Sequence, residues 1–168
     1  MQPIFARLAH QLDKAEQELG RIEEAVRLFA SMEVTPAAQW ARRTSIAGGV
    51  ESVYSGLEGI LKGIAEDIDG HVPQGGAWHA KLLETMGLDV PGVRPAVVTA
   101  ETLAVLDDLR RFRHAVRSHY GIDLRDADVD ANLDRVRSAL PLFRRDFEAF
   151  VAAMTGDARD GPPSAPSR

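Results

Sequence analysis

The sequence predicts an all-α protein, a bundle of about four long helices plus a short one. Three observations predict it. Apolar residues recur at steps of three and four through most of the chain, the spacing of one helix face. No run of strand length alternates apolar and polar residues, and no internal repeat is present. Helix start and stop signals divide the chain into segments long enough for a bundle.

From Ile4 to about Met32 the apolar positions Ile4, Leu8, Leu12, Ala15, Leu19, Ile22, Ala25 and Leu28 form one stripe between Glu, Lys, Arg and Gln. That is one long amphipathic helix. Thr35-Pro36 then opens a second helix, with Thr35 as the cap and Pro36 at the first helical position, where its missing N–H costs nothing. This helix should run to about Asp69. It contains Gly48-Gly49, Gly56, Gly59 and Gly63, each costing about 1 kcal/mol against Ala in a helix interior. Two explanations stand side by side: close approach of another helix, or a break near Gly48-Gly49. His71 to Gly76 reads as a loop, Ala77 to about Met86 as a short helix, and Gly87 to Thr99 as a loop with turns at Pro91-Gly92 and Pro95. Thr99 caps a helix that runs through about Tyr120 and ends at Gly121. The last helix starts between Asp126 and Asp130 and runs to about Met154, with a kink or local break expected at Pro141. Residues 1–155 make one helical domain. Residues 156–168, rich in Pro, Ser, Gly and Asp, read as a disordered tail.

Composition narrows the function. The 168 residues suit one domain, and 45% of them are hydrophobic, enough for a core. There is no cysteine, so disulfide frameworks and thiolate metal sites are excluded and a reducing cytoplasm fits. The start of the chain lacks the apolar run of a secretory segment, and no stretch is long and apolar enough to span a bilayer. The protein is therefore expected to be cytoplasmic, without a membrane partner. No His-Glu-X-X-His or Gly-Lys-Ser/Thr pattern is present, so neither a metal site nor a cofactor is expected. A net charge of −5 gives no global attraction to nucleic acid, which would need a local basic patch.

One such patch exists. Arg110, Arg111, Arg113, His114, Arg117 and His119 fall within the eleven residues that end at Tyr120. Leu103, Leu106, Leu109, Phe112 and Val116 form the apolar stripe of this helix. Arg110, Arg113 and Arg117 run along another side, and Tyr120 lies about 20° from Arg113 around the axis. Like charges at these spacings repel by about 0.2–0.5 kcal/mol per pair. Either carboxylates such as Asp107, Asp108 or Asp123 sit opposite the arginines, or phosphates do, and arginine's planar fork suits phosphate. Elsewhere, Tyr54 and Glu58 lie one turn apart, and either line a groove or form a buried hydrogen bond. Trp40 and Trp78 read as core or interface residues. His71 and His79 read as solvent-exposed.

Arg113, polar His114, five residues and then His119 resemble the Arg-His signature of the HEPN superfamily, and within it the HepT-like toxins, where a tyrosine follows the histidine. Tyr54-Ser55-Gly56-Leu57-Glu58-Gly59-Ile60, Gly76-Ala77-Trp78-His79 and Gly121-Ile122-Asp123-Leu124 are similar to HepT-like stretches in the same order, so the resemblance spans about residues 1–154. It implies a HEPN-type bundle. The usual HepT spacing places four residues between Arg and His, then His-X-Tyr. Counted from Arg113, that histidine position holds Ser118, the next holds His119, and Tyr120 keeps its register.

The resemblance implies a metal-independent endoribonuclease acting at a homodimer groove. His119 would be the acid/base group and Arg113 the phosphate stabiliser, with His114 assisting. Arg110, Arg117 and Ser118 would bind RNA phosphates. It further implies an antitoxin partner, a minimal nucleotidyltransferase of the MNT type that transfers AMP onto Tyr120, adding charge and bulk that would block the groove. The displaced histidine keeps a second expectation open: a non-catalytic HEPN module that binds a nucleotidyltransferase or a nucleotide.

Overall fold

The computed structural model describes residues 2–118 and 124–156. Helix α1 spans Pro3–Ala30, α2 Pro36–Ile64, α3 Trp78–Met86, α4 Ala100–Ser118 and α5 Asp126–Gly156. The expected all-α architecture is the one observed. The expected residues His119, Tyr120 and Asp123, the helix stop at Gly121 and the tail beyond Gly156 lie outside the described residues.

The start signals work as their chemistry requires. Thr35 Oγ1 accepts a hydrogen bond from the Ala38 N–H at 3.1 Å, and Pro36 occupies the first helical position. Thr99 Oγ1 accepts from the Thr102 N–H at 3.4 Å at the head of α4. The second helix reaches Asp69 as expected, but its last turn, Ala65–Asp69, is of the wider π type and is closed by Gly70 at φ 69°. Only glycine takes that backbone conformation without strain.

The glycines of α2 resolve into close approach rather than a break. The helix is continuous through Gly48-Gly49. A Cβ on Gly49 would meet Ile22 Cγ1 at 2.5 Å, one on Gly63 would meet Leu8 Cδ2 at 3.0 Å, and one on Gly56 would meet Ala15 Cβ at 3.6 Å. Leu8, Ala15 and Ile22 ascend by seven while Gly63, Gly56 and Gly49 descend by seven. α1 and α2 are thus antiparallel, with a small residue of α2 at three successive layers, the spacing of coiled-coil-like packing.

Ion pairs set the other directions. Arg137 pairs with Glu23 and Arg144 with Glu16, so α5 runs antiparallel to α1. Arg117 meets Glu51 while Arg113 meets Ser55, so α4 runs antiparallel to α2. The result is an up–down–up–down four-helix bundle with α2 in contact with every other helix. Its core is one cluster that includes Phe5, Leu12, Val53, Leu57, Leu61, Leu106, Val136, Phe143 and Phe150. α5 passes Pro141 without interruption. The expected local break does not occur: Pro141 is exposed, and the missing N–H falls on the solvent side, where water can serve the freed carbonyl.

The loop between α3 and α4 is pinned by Arg94, whose side chain is fully buried. Its Nε and Nη2 donate to the two Asp69 oxygens at 2.6 and 2.8 Å, and it also donates to the Leu88, Pro95 and Thr85 carbonyls. This bidentate pair joins the end of α2 to the loop and holds α3 across the end of the α2–α4 seam.

Candidate nucleic-acid interface

The seam between α2 and α4 gathers most of the chemistry that can be placed. Arg113 lies in it with its side chain 14% exposed. Its Nε donates to Ser55 Oγ at 3.3 Å and lies 4.0 Å from Glu51 Oε1. Arg117, one turn on and mostly exposed, reaches the same Glu51 oxygen at 3.1 Å. Arg110 donates from Nε to Asp107 at 2.8 Å, and Arg111 reaches the other Asp107 oxygen. The sequence-derived line of Arg110, Arg113 and Arg117 is therefore present as one edge of α4 facing α2. Carboxylates relieve its self-repulsion, as expected for Asp107. Asp108 pairs instead with Arg111 at 3.7 Å and with Arg135 of α5 at 3.3 Å. Glu51 carries no role in the sequence reading, although its place one turn before Ser55 on α2 is the signal that could have assigned it.

Ser118 and His114 lie at the exposed end of α4. Ser118 Oγ donates to the His114 carbonyl at 2.7 Å and is 3.4 Å from His114 Nε2. The hydroxyl thus bonds back into its own helix. His119 and Tyr120 lie outside the described residues.

A buried polar cluster continues the seam towards α3. The Tyr54 hydroxyl donates to Glu58 Oε1 at 3.0 Å, the buried hydrogen bond considered from sequence. Both residues are buried. Burial, then the charge and hydrogen bond of Glu58, push the Tyr54 phenol far above its usual pKa, against the opposing pull of Arg110 and Arg113. His79 Nδ1 lies 2.5 Å from the same Glu58 oxygen, and the His79 ring stacks on Trp78 with centroids 3.7 Å apart. His79 is thus not the exposed residue expected from sequence. The α2–α3 loop folds it back onto α2, a contact twenty-one positions away that local spacing does not reveal. Trp78 packs against the core as expected, whereas Trp40 is 61% exposed in this chain and contributes nothing to the core.

A groove of about 450 Å³ between α1 and α2 reaches the same seam. Lys14, Arg21, Ser52, Ser55, Gly56 and Gly59 are among the residues that line it. No helix among the described residues is long and apolar enough to cross a membrane, and none of their His, Asp and Glu side chains are grouped to hold a metal ion.

The described residues form an all-helical bundle with arginines along one interhelical seam. Residues 45–154, about two thirds of the chain, match the HepT-like protein family. The chain belongs to this family and is a HepT-like HEPN protein. No curated protein and no solved structure matches it.

Proposed function

We propose that the chain is a HepT-type toxin, a metal-independent endoribonuclease acting through Arg113 and a histidine at the α2–α4 seam. The observation that carries this reading is the setting of Arg113. It is the arginine in register with the family signature, it is nearly buried, and Ser55 and Glu51 fix its guanidinium at the seam. A held guanidinium loses little freedom when a phosphate arrives and can stabilise the charge that develops as the 2′ oxygen attacks phosphorus. His119 would be the acid/base group, with His114 assisting. Arg110, Arg117 and Ser118 would hold neighbouring phosphates. Lys14 and Arg21, the latter paired with Glu18, line the α1–α2 groove beyond Ser55. A homodimer would bring two such seams together. A nucleotidyltransferase antitoxin modifying Tyr120 with AMP would silence the site, because the added phosphate would occupy the arginines.

The test uses the purified, unmodified chain, free of partner, with RNA in EDTA. Wild type is expected to cleave. Arg113→Ala is expected to lose about 100-fold or more of the rate, the scale of one transition-state donor, with unfolding still cooperative. No cleavage by wild type contradicts the proposal. That outcome would favour the second reading, a non-catalytic HEPN module. Two observations favour this second reading: His119 stands one position late, and Glu51 already satisfies Arg117 and faces Arg113. Complex formation with a nucleotidyltransferase, without cleavage, is its signature.

A further inference from the structure

We infer that His79 is a second acid–base group of the seam, the base that takes the proton of the RNA 2′-hydroxyl, set in place by Glu58 and Trp78. The inference rests on the ribonuclease reading above and adds to it a residue from a different helix.

The geometry carries it. Three features fix the imidazole: Nδ1 at 2.5 Å from a buried carboxylate, a ring stacked on Trp78, and a side chain only 26% exposed. In the tautomer that donates Nδ1–H to Glu58, the lone pair is on Nε2, and Nε2 has no partner among the described residues. A carboxylate that orients an imidazole so that its far nitrogen is left free is the arrangement of a general base.

The position suits the role. Ser55, which holds Arg113, and Glu58, which holds His79, are three residues apart on α2, on one face and roughly 5 Å apart along the axis. The residues that hold Arg113 and His79 are therefore one helical turn apart on α2. Glu58 also accepts from the Tyr54 hydroxyl of α2, and Arg110 and Arg113 of α4 are close enough to act on the Tyr54 phenol.

Cleavage of RNA without a metal needs two proton carriers. The 2′ oxygen bonds to phosphorus as its proton passes to His79 Nε2. The bond from phosphorus to the 5′ oxygen breaks, its electron pair leaves with that oxygen, and an imidazolium, His119 in the reading above, supplies the proton. The products are a 2′,3′-cyclic phosphate and a 5′-hydroxyl, with no change in oxidation state. His79 and His119 fill the two roles, and His79, held by Glu58, is suited to being the base.

The experiment measures cleavage of a short RNA in EDTA by the full chain and by His79→Asn. Asparagine keeps an N–H where Nδ1 stood, so Glu58 stays satisfied, but it removes the basic nitrogen. The expected result is a fall in kcat/KM of about 100-fold or more. Thermal unfolding should stay within a few degrees of wild type, and the acid limb of the pH–rate profile should flatten. If His79→Asn cleaves within about twofold of wild type while Arg113→Ala is inactive, the inference fails and the ribonuclease reading stands. If wild type does not cleave, both fail. A measurement on wild type guards against a misfolded variant. Adding an uncleavable 2′-deoxy oligonucleotide should move the His79 ring resonances in an NMR spectrum, and ring resonances that stay in place would overturn the inference.

Discussion

Asp146 shows how single residues carry this fold. It is buried on α5, and burial disfavours its charge. Hydrogen bonds from the Thr102 hydroxyl, from the Thr99 N–H and hydroxyl and from Arg145 outweigh that cost and leave the carboxyl below its usual pKa. A carboxyl depressed in the folded state adds stability that is complete above its unfolded pKa of about 4 and is lost as pH falls through the lower folded value. Asp146→Ala should therefore cost about 3 kcal/mol at neutral pH, because several donors lose a charged partner at once. The gap between variant and wild type should narrow in urea titrations carried out below pH 4. Glu51 makes a second residue-scale case. It sets the charge of the seam, since it sits against both Arg113 and Arg117. Glu51→Gln should tighten binding of a single-stranded oligonucleotide and steepen its salt dependence by about 0.7 in the log–log slope for each phosphate gained. Fluorescence anisotropy across a salt series reads this, and an unchanged slope would mean that the seam does not take phosphate. Arg113 was legible in the sequence from its spacing to the other arginines. The Tyr54–Glu58 bond was also legible, being one turn of one helix, whereas the roles of Glu51 and His79 were not, because each acts through a neighbour on another element.

At the scale of elements, α2 is held by what it lacks. Gly49 and Gly48 are adjacent in sequence and opposite in role. The first faces Ile22 with no room for a Cβ, and the second has nothing within 4 Å and is exposed. Gly48→Ala should stabilise the protein by up to about 1 kcal/mol through helix propensity. Gly49→Ala should destabilise it by about 1–3 kcal/mol, because Ile22 must leave its place in a packed layer. Chemical denaturation of the two variants side by side tests the register of α1 on α2, and equal effects would contradict it. The sequence showed the glycines but not which of them faces α1, since that depends on how two helices meet. The caps at Thr35 and Thr99 were legible because capping is a contact over three residues. The unbroken course of α5 through Pro141 was not, because whether proline interrupts a helix depends on whether the freed carbonyl reaches water.

For the whole molecule, most arginines among the described residues are paired with carboxylates. Arg137 and Arg144 tie α5 to α1, Arg94 ties the α3–α4 loop to the end of α2, and the seam keeps Arg113 and Arg117 against a single shared carboxylate. This is how a chain of net charge −5 can still present a cationic line to a polyanion. Removing a partner of the buried Arg94–Asp69 pair should cost about 3–5 kcal/mol, and Arg94→Ala should unfold several degrees or more below wild type in a thermal melt. Periodicity was enough for the all-α class and the helix count. The seam needed the tertiary structure, because α3 and α4 bring their side chains onto α2 from loops whose course no local pattern encodes. The central claim is that this seam cleaves RNA by using the 2′-hydroxyl. Its most direct test compares two short oligonucleotides in EDTA, one all-ribose and one carrying 2′-deoxyribose throughout. The expected result is cleavage of the first alone, leaving 5′-hydroxyl ends and abolished by Arg113→Ala. Cleavage of neither, or of both at equal rates, would contradict it.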